Sequence, residues 1–282
     1  MGFSNENEIV IKAKTSLFNI NIKELWDYRD LVILFVKRNY STRYKQTILG
    51  PLWLFLNPLI STLLYIVIFT RVAQLPTDGI DALDFYLSGS IVWGLFAACL
   101  NQTSNTFLAN AGIMGKVYFP RLVMPLSTAL TALLDFLIQL ILLVGIIIVQ
   151  AIRGVVYAPN ELLVFVPLLA LQLMLLGMGV GIIVSSLTTK YRDLNILVSF
   201  GVRLWMYLCP VVYSISLIPE QYRNLYYLNP ITPSLLIFRY AVYGQGEAPL
   251  FMWGVGWIIT FVVVFIGIII FNKVEKTFMD TV

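Results

Sequence analysis

Apolar residues in this chain come in blocks too long for strands or ordinary core helices. A helix needs about 20 apolar residues to cross roughly 30 Å of hydrocarbon, and six stretches reach or approach that length. They are Pro51–Thr70, Phe85–Leu100, Leu122–Val149, Leu162–Leu187, Ile196–Tyr213 and Leu250–Phe271. The second is short alone, and the polar run NQTSNT (Asn101–Thr106) extends the same helix to about residue 106, facing other helices or leaving the bilayer. Before the first block, Glu24–Tyr40 mixes apolar and charged residues, and its longest pure apolar run, Leu31–Val36, cannot cross. It reads as a helix lying along the cytoplasmic surface. Trp26, Ile33 and Leu34 fall off any single stripe, so its apolar face is either docked on protein or sunk in lipid. Between the fifth and sixth blocks, Ser214–Pro249 is divided by Pro219, Pro230 and Pro233, each disfavouring helix just before it. Two short helices dipping back into the outer leaflet fit this stretch, as does an amphipathic external loop.

Composition agrees with an integral membrane protein. Hydrophobic residues make up 59% and charged residues 12% of the 282, against about 25% charged in a soluble domain. The net charge of +4 does not mark a nucleic-acid binder, because the basic residues sit beside hydrophobic blocks rather than on one solvated face. There is no histidine, which removes the commonest general base and metal ligand. Cys99 and Cys209 lie in apolar runs without a C-x-x-C partner and read as small buried hydrophobes. The polar first fifty residues carry no signal-peptide core, which places the N-terminus in the cytoplasm.

Charge orients the spans. Of the 19 Lys and Arg, fourteen fall on the side of the N-terminus if six spans alternate. Only Arg71, Arg153, Arg223 and Arg239 fall on the other side, where Asp78, Asp81 and Asp84 cluster; Arg203 lies within the fifth span. Positive residues concentrate on the cytoplasmic side of membrane proteins, so the fold class expected is an all-α membrane protein with six transmembrane helices and both ends cytoplasmic. Residues 1–49 form the cytoplasmic region and 50–282 the transmembrane domain. Gly50 allows a backbone turn into the first span, and Pro51 suits its first helical position.

Two ionisable residues fall well inside spans, Asp135 and Arg203. Such groups cost roughly 2.5–3.5 kcal/mol at the bilayer centre and face protein or water. They are expected to pair with each other or each to border a channel, with Gln139 sharing the Asp135 face; a structural contact between packed helices remains the alternative. Aromatics make up 14% of the chain. Many, Trp93, Tyr207, Tyr213, Tyr226 and Tyr227 among them, fall toward the external half, suited to sugar faces along a path or to an interfacial belt. Gly177, Gly179, Gly181 and Ser185 give the fourth span a small face for close packing within the subunit.

Four segments in register extend this picture: LWDYRDLVILFVKRNYSTRYKQTILGPLW (Leu25–Trp53), KVYFPRLVMPLS (Lys116–Ser127), KYRDLN (Lys190–Asn195) and LNPITP (Leu228–Pro233). Together they resemble the membrane subunits of ABC-2 type polysaccharide exporters, which move O-antigen, capsule or teichoic acid chains. The resemblance implies a homodimer in the bacterial cytoplasmic membrane, paired with two copies of a separate cytoplasmic ABC ATPase and carrying a lipid-linked glycan. It implies a transport subunit rather than an enzyme, with no cofactor in this chain, because the partner would bind ATP and magnesium. In keeping with that, GIMGKV (Gly112–Val117) lacks the first Gly and the Ser/Thr of a phosphate-binding loop. By the same resemblance the surface helix and the segment Ala109–Arg121 would couple to the ATPase. The candidates there are Tyr28, Arg29, Asp30, Arg38, Arg43, Tyr44, Lys45, Lys116, Tyr118 and Arg121. The channel and substrate candidates are Trp53, Asp135, Arg203, Tyr207, Tyr213, Tyr226, Tyr227 and Arg239, with Tyr226, Tyr227 and Arg239 at the exit. Alternatives are an ABC-2 exporter of a smaller lipid or drug, a membrane-embedded transferase acting on lipid-linked sugars, or an ion-coupled carrier; the last two lack clustered acids within the spans.

Overall fold

The computed structural model describes residues 22–45, 47–114, 116–117, 119–188 and 193–278, and within them the regular structure is helical. Helices α1 (Ile22–Asp27) and α2 (Arg29–Tyr44) precede a 3-10 turn, Gly50–Leu52, that opens α3 (Trp53–Tyr65), which continues as a π-helical stretch to Val72. Then come α4 (Ala82–Ser104), α5 (Thr106–Met114) and α6 (Val123–Ile152). A 3-10 turn, Glu161–Phe165, leads into α7 (Val166–Thr188), followed by α8 (Leu194–Tyr207), α9 (Glu220–Tyr227), α10 (Ile231–Tyr243) and α11 (Leu250–Phe278). The Asp81 and Asn160 carboxylate and amide oxygens accept from Leu83 and Leu162 N–H at 2.9 and 3.0 Å, so side chains cap α4 and the entry to α7.

Among the described residues, five helical runs are long and apolar enough to cross a membrane: Gly50–Val72, Ala82–Ser104, Val123–Ile152, Glu161–Thr188 and Leu250–Lys273. The fifth crossing expected at Ile196–Tyr213 is shorter than the sequence pattern suggests. Its helix α8 has 14 residues, about 21 Å of rise against roughly 30 Å of hydrocarbon. Pro210 stops it. The chain from Leu208 to Tyr213 turns instead and sends its carbonyls to Arg239.

The weakest span on hydropathy, α4, is the centre of the bundle. Of its most apolar stretch 72% is buried, against 22% for α6 and for the last span. Helix α7 lies on it in parallel: a Cβ on Gly177 would meet the Phe96 carbonyl and the Cys99 Cβ at 2.7 Å, and one on Gly181 the Thr103 Cβ at 2.6 Å. The same helix turns Gly179 toward α11, where Val264 and Gly267 approach and Trp253 bonds Gln172 one end away. Without a hydrophobic force between helices in lipid, such backbone approach is what holds them together, and it bears out the small-residue face read from the sequence. Helix α6 runs antiparallel to α4, with Gly94 near Gln139 and Cys99 donating to the Ala129 carbonyl at 3.8 Å. Helix α8 is also antiparallel to α4, since Trp205 stacks on Phe96 at 5.1 Å and Val211 reaches Gly89.

The polar run after Leu100 does continue α4. Thr103 pairs with Thr128 of α6, and the Ser104, Asn105 and Thr106 side chains bond carbonyls one turn back. Both cysteines are free and buried. At the other end, α9 and α10 are the two short helices expected between the last spans. Helix α10 is buried along almost its whole length, closed by Gly244 at φ 70°, where a Cβ would meet the Ala158 carbonyl at 2.5 Å.

Replacing Gly177 by Leu forces a side chain into the Phe96 backbone. It should lower stability by roughly 1–3 kcal/mol or more, read as a lower unfolding temperature in detergent, whereas Leu at Gly201, which faces open space, should leave it unchanged.

Candidate functional site

Two regions collect the candidate side chains. The first lies where α2, α5 and the start of α6 meet. Val32 and Phe35 of α2 bury against Phe119, Val123 and Met124, with the Phe35 and Phe119 rings 5.9 Å apart. The surface helix is therefore docked on protein along this face, while Trp26, Ile33 and Leu34 are exposed on its other sides. The expected single helix is broken at Tyr28, which ends α1 and caps α2.

Along the same helix, Arg38 stacks over the Phe35 ring at 4.6 Å and donates to the Asn110 side chain at 2.9 Å. One turn on, Arg43 forms an ion pair with Asp135 of α6. Of the expected outcomes for Asp135 this is the structural contact between packed helices rather than a pairing with Arg203: Asp135 is 7% exposed and its partner is Arg43. Helix α2 runs beside α6 and so carries Arg43 to Asp135, whereas Arg203 sits on α8 across α4. Burial lowers the Arg43 pKa, but the Asp135 carboxylate and Tyr44 together raise the value overall. Tyr44 packs on Tyr40 at 4.8 Å, and burial raises its pKa.

Of the remaining coupling candidates, Arg29, Asp30, Lys45 and Lys116 are exposed, Arg29 lying 5.9 Å from the Trp26 ring centroid. Arg121 is partly buried. Tyr118, and Lys190 to Arg192 of the KYRDLN segment, lie outside the described residues.

The second region is an open recess of about 440 Å³ between α3, α4 and α8, lined by Tyr65, Trp93, Asn101, Arg203, Met206 and Tyr207 among others. Its wall continues as a row of rings, with Tyr65, Phe69 and Tyr86 centroids 6.0 to 6.4 Å apart. Arg203 and Tyr207 are exposed to it, and the Asn101 side-chain oxygen is buried without a hydrogen-bond partner among the described residues. An amphipathic ring surface with a guanidinium and an amide can hold a polyhydroxylated chain by its C–H faces and hydroxyls without fixing its register. Trp53 stands partly exposed at the start of α3.

The exit-gate candidates do not share one opening. Arg239 is 3% exposed; it donates to the Pro210, Val211 and Phe85 carbonyls at 2.7, 2.9 and 3.0 Å and lies 3.6 Å from the Phe85 ring centroid. Burial pushes its pKa down to about 9, still cationic at neutral pH. Its place is inside the junction of α4, α8 and α10, which corrects the gate reading: a buried cation needs partners, and the turn after α8 and the start of α4 supply carbonyls. Gly89 makes room, since a Cβ there would meet Arg239 at 2.7 Å. The Tyr227 hydroxyl donates to Glu247 at 2.6 Å beside the Arg223–Glu247 pair at 3.3 Å, and burial with that bond raises the Tyr227 pKa to about 12. Tyr226 packs in the same small cluster, and the Tyr213 hydroxyl donates to the Tyr207 carbonyl at 3.1 Å.

Several residues escaped sequence reasoning. Asn110 and Phe119 tie α5 and the segment after it to α2; Tyr157 donates to buried Asp84 at 2.7 Å; Gln172 accepts from Ser234 and Trp253. Polar residues within apolar helices were the available signal.

The sequence pattern of ABC-2 type transporters matches residues 30–243, well over half of the chain. The protein belongs to the ABC-2 type transporter family. It is similar to two O-antigen export system permease proteins, RfbA, of Klebsiella pneumoniae. One is 29% identical over 251 residues, the other 30% over 252, and each alignment covers 89% of this chain and 94% of the relative. An RfbA of Myxococcus xanthus is 30% identical over 81% of the chain and 85% of its own length. The capsule polysaccharide export inner-membrane protein CtrC of Neisseria meningitidis is 22% identical over 74% and 77%. With five apolar helices of crossing length, this ABC-2 chain is a multi-pass membrane protein.

Two measurements test the assigned contacts. A double-mutant cycle of Arg43→Gln and Asp135→Asn should give a coupling of roughly 1 kcal/mol, held down because solvent reaches a third of Arg43. Arg239→Met removes bonds to three carbonyls and should destabilise by roughly 3 kcal/mol or more, seen as loss of detergent-stable protein, with Arg239→Lys intermediate.

Proposed function

We propose that this ABC-2 chain is the membrane permease of an ATP-driven exporter that carries a lipid-linked polysaccharide of the O-antigen or capsule class out across the bacterial cytoplasmic membrane. The observation that carries it is the similarity to O-antigen export permeases along 89% of the chain. The recess between α3, α4 and α8 supports it, because rings, an amide and one guanidinium suit a sliding glycan better than a compact drug.

In this reading α8 with the turn after it makes a sixth crossing, both termini are cytoplasmic, and α9 with α10 caps the external end, re-entering the outer leaflet. The contact directions within the bundle favour it: α7 and α11 run with α4, while α3, α6 and α8 run against it, an arrangement that alternation across the membrane requires. Residues 1–49 are the cytoplasmic region and 50–282 the membrane domain. The permease works as a homodimer with two copies of a cytoplasmic ABC ATPase, which binds the ATP and magnesium. Helix α2 and the segment through Arg121 receive the ATPase stroke, and the docking of α2 on α6 passes it to the spans. A transferase reading gains nothing from the geometry, since Asp84 and Asp135 occupy separate sites, each held by a partner.

Deleting the gene should strand finished polymer in the cytoplasm, and the wild-type protein should co-purify with an ABC ATPase. Arg203→Met with Trp93→Ala should cut surface polysaccharide by about tenfold or more while the complex still assembles. Unchanged surface display in the deletion strain would refute the export reading.

A further inference from the structure

A second cleft, of about 420 Å³, opens between α2, α5 and the ends of α4 and α6, lined among others by Arg38, Thr42, Arg43, Gln102, Asn110 and Thr128. Two guanidiniums face it with amides and hydroxyls, and its lining holds no carboxylate among the described residues. The Asp135 carboxylate takes one amino group of Arg43. Arg38 has no acidic partner there: one of its amino groups donates to Asn110 and Asn39 at 2.9 and 3.3 Å, which aims the planar head while its other donors stay unengaged among the described residues. Stacking on Phe35 at 4.6 Å holds the same head flat. A rigid guanidinium with spare parallel donors is the group best matched to a phosphate oxygen pair. Donors of Gln102 and Thr42 add to it from the facing wall and the rim.

Depth supplies the second constraint. Gln139 of α6 donates to the Leu54 carbonyl at the start of the first crossing helix, at 3.5 Å. The cleft meets α6 at Thr128, eleven residues earlier, about 16 Å back along the helix. Thr128 and Gln102 fall near the ends of their crossing-length runs, Val123–Ile152 and Ala82–Ser104, so the cleft lies at the end of the bundle, toward headgroups and water, where a phosphate keeps part of its hydration.

We propose that this cleft is a phosphate-binding site that grips a phosphate or diphosphate group, Arg38 being its principal ligand and Thr42 and Gln102 its supports. Its volume admits a diphosphate with an attached residue rather than a bare ion alone. Binding does not require that the chain exports a glycan; the proposed function enters only in putting the cleft on the cytoplasmic side.

The test uses the full-length protein in neutral phosphatidylcholine nanodiscs titrated calorimetrically with inorganic pyrophosphate. Saturable binding is expected, weakened about tenfold or more by Arg38→Gln and severalfold by Thr42→Val, with Arg38→Lys between Arg38→Gln and wild type. Thr42 is exposed, so its variant should unfold at the wild-type temperature and decides the matter if Arg38→Gln misfolds. In a second arm, protein from mixed phosphatidylglycerol and phosphatidylcholine nanodiscs is weighed by native mass spectrometry. Retained phosphatidylglycerol that pyrophosphate displaces identifies a lipid headgroup as the source; pyrophosphate binding with no retained lipid identifies a soluble phosphate compound. Either supports the site. Absence of both ligands from the wild type, or equal binding by wild type, Arg38→Gln and Thr42→Val, overturns it, as when the cleft is a groove for an acidic segment of a protein partner. Loss of pyrophosphate binding with export intact would sink this site alone, and export failure with binding intact would sink only the proposed function.

Discussion

The approach of α7 to α4 within backbone contact is the constraint on which the rest of the molecule depends. Two glycines of α7 face α4 where a methyl group would strike a carbonyl or a Cβ, and a third faces α11. In lipid, apolar side chains gain nothing by leaving the solvent for one another, so helices associate through shape, close dispersion contact and polar bonds. A helix gripped this closely can tolerate a polar sequence. That is why α4, with its Asp84, hydroxyls and amides, is the most enclosed of the crossing-length helices rather than the least.

Around that pair the two ends of the bundle are built on different physics. At the end where α2 docks, apolar rings seat the helix on α6, and the Arg43–Asp135 pair fixes how far along it sits. In the proposed coupling a displacement of α2 would carry α6 with it, as a docked helix can and a loosely floating one cannot. At the opposite end, Arg239 gathers carbonyls from the turn after α8 and from α4 around one buried charge. Because a buried guanidinium left unbonded is costly, α10 can hardly move away from that junction without opening it. The Tyr157–Asp84 and Tyr227–Glu247 bonds add neighbouring ties. The recess between α3, α4 and α8 lies between these two fixed ends, walled by rings that ask for no single ligand orientation.

Membrane character and the place of five of the six expected spans were legible in the sequence, because a bilayer demands about 20 apolar residues and every backbone group bonded within the helix. The small-residue face of α7, the helix before the first span, the continuation of α4 as far as Ser104 and the two short helices before α11 were legible too, each being a local pattern of size, periodicity or proline. The family was readable from motifs spread through the chain, and the ABC-2 pattern over residues 30–243 shows that family. What lay beyond the sequence was who meets whom. Asp135 lies 92 positions from Arg43 and Arg239 lies 154 from Phe85; a charge inside a span announces that it has a partner without naming it, because the partner is chosen by which helices are neighbours and how they are staggered. Hydropathy likewise overran the end of α8, since Leu208–Tyr213 is apolar enough to read as more of the span but is bent by Pro210 and claimed by a buried arginine. Local chain chemistry settles which segments enter the membrane, and long-range packing alone decides which of their polar groups become ties and which remain open to a ligand.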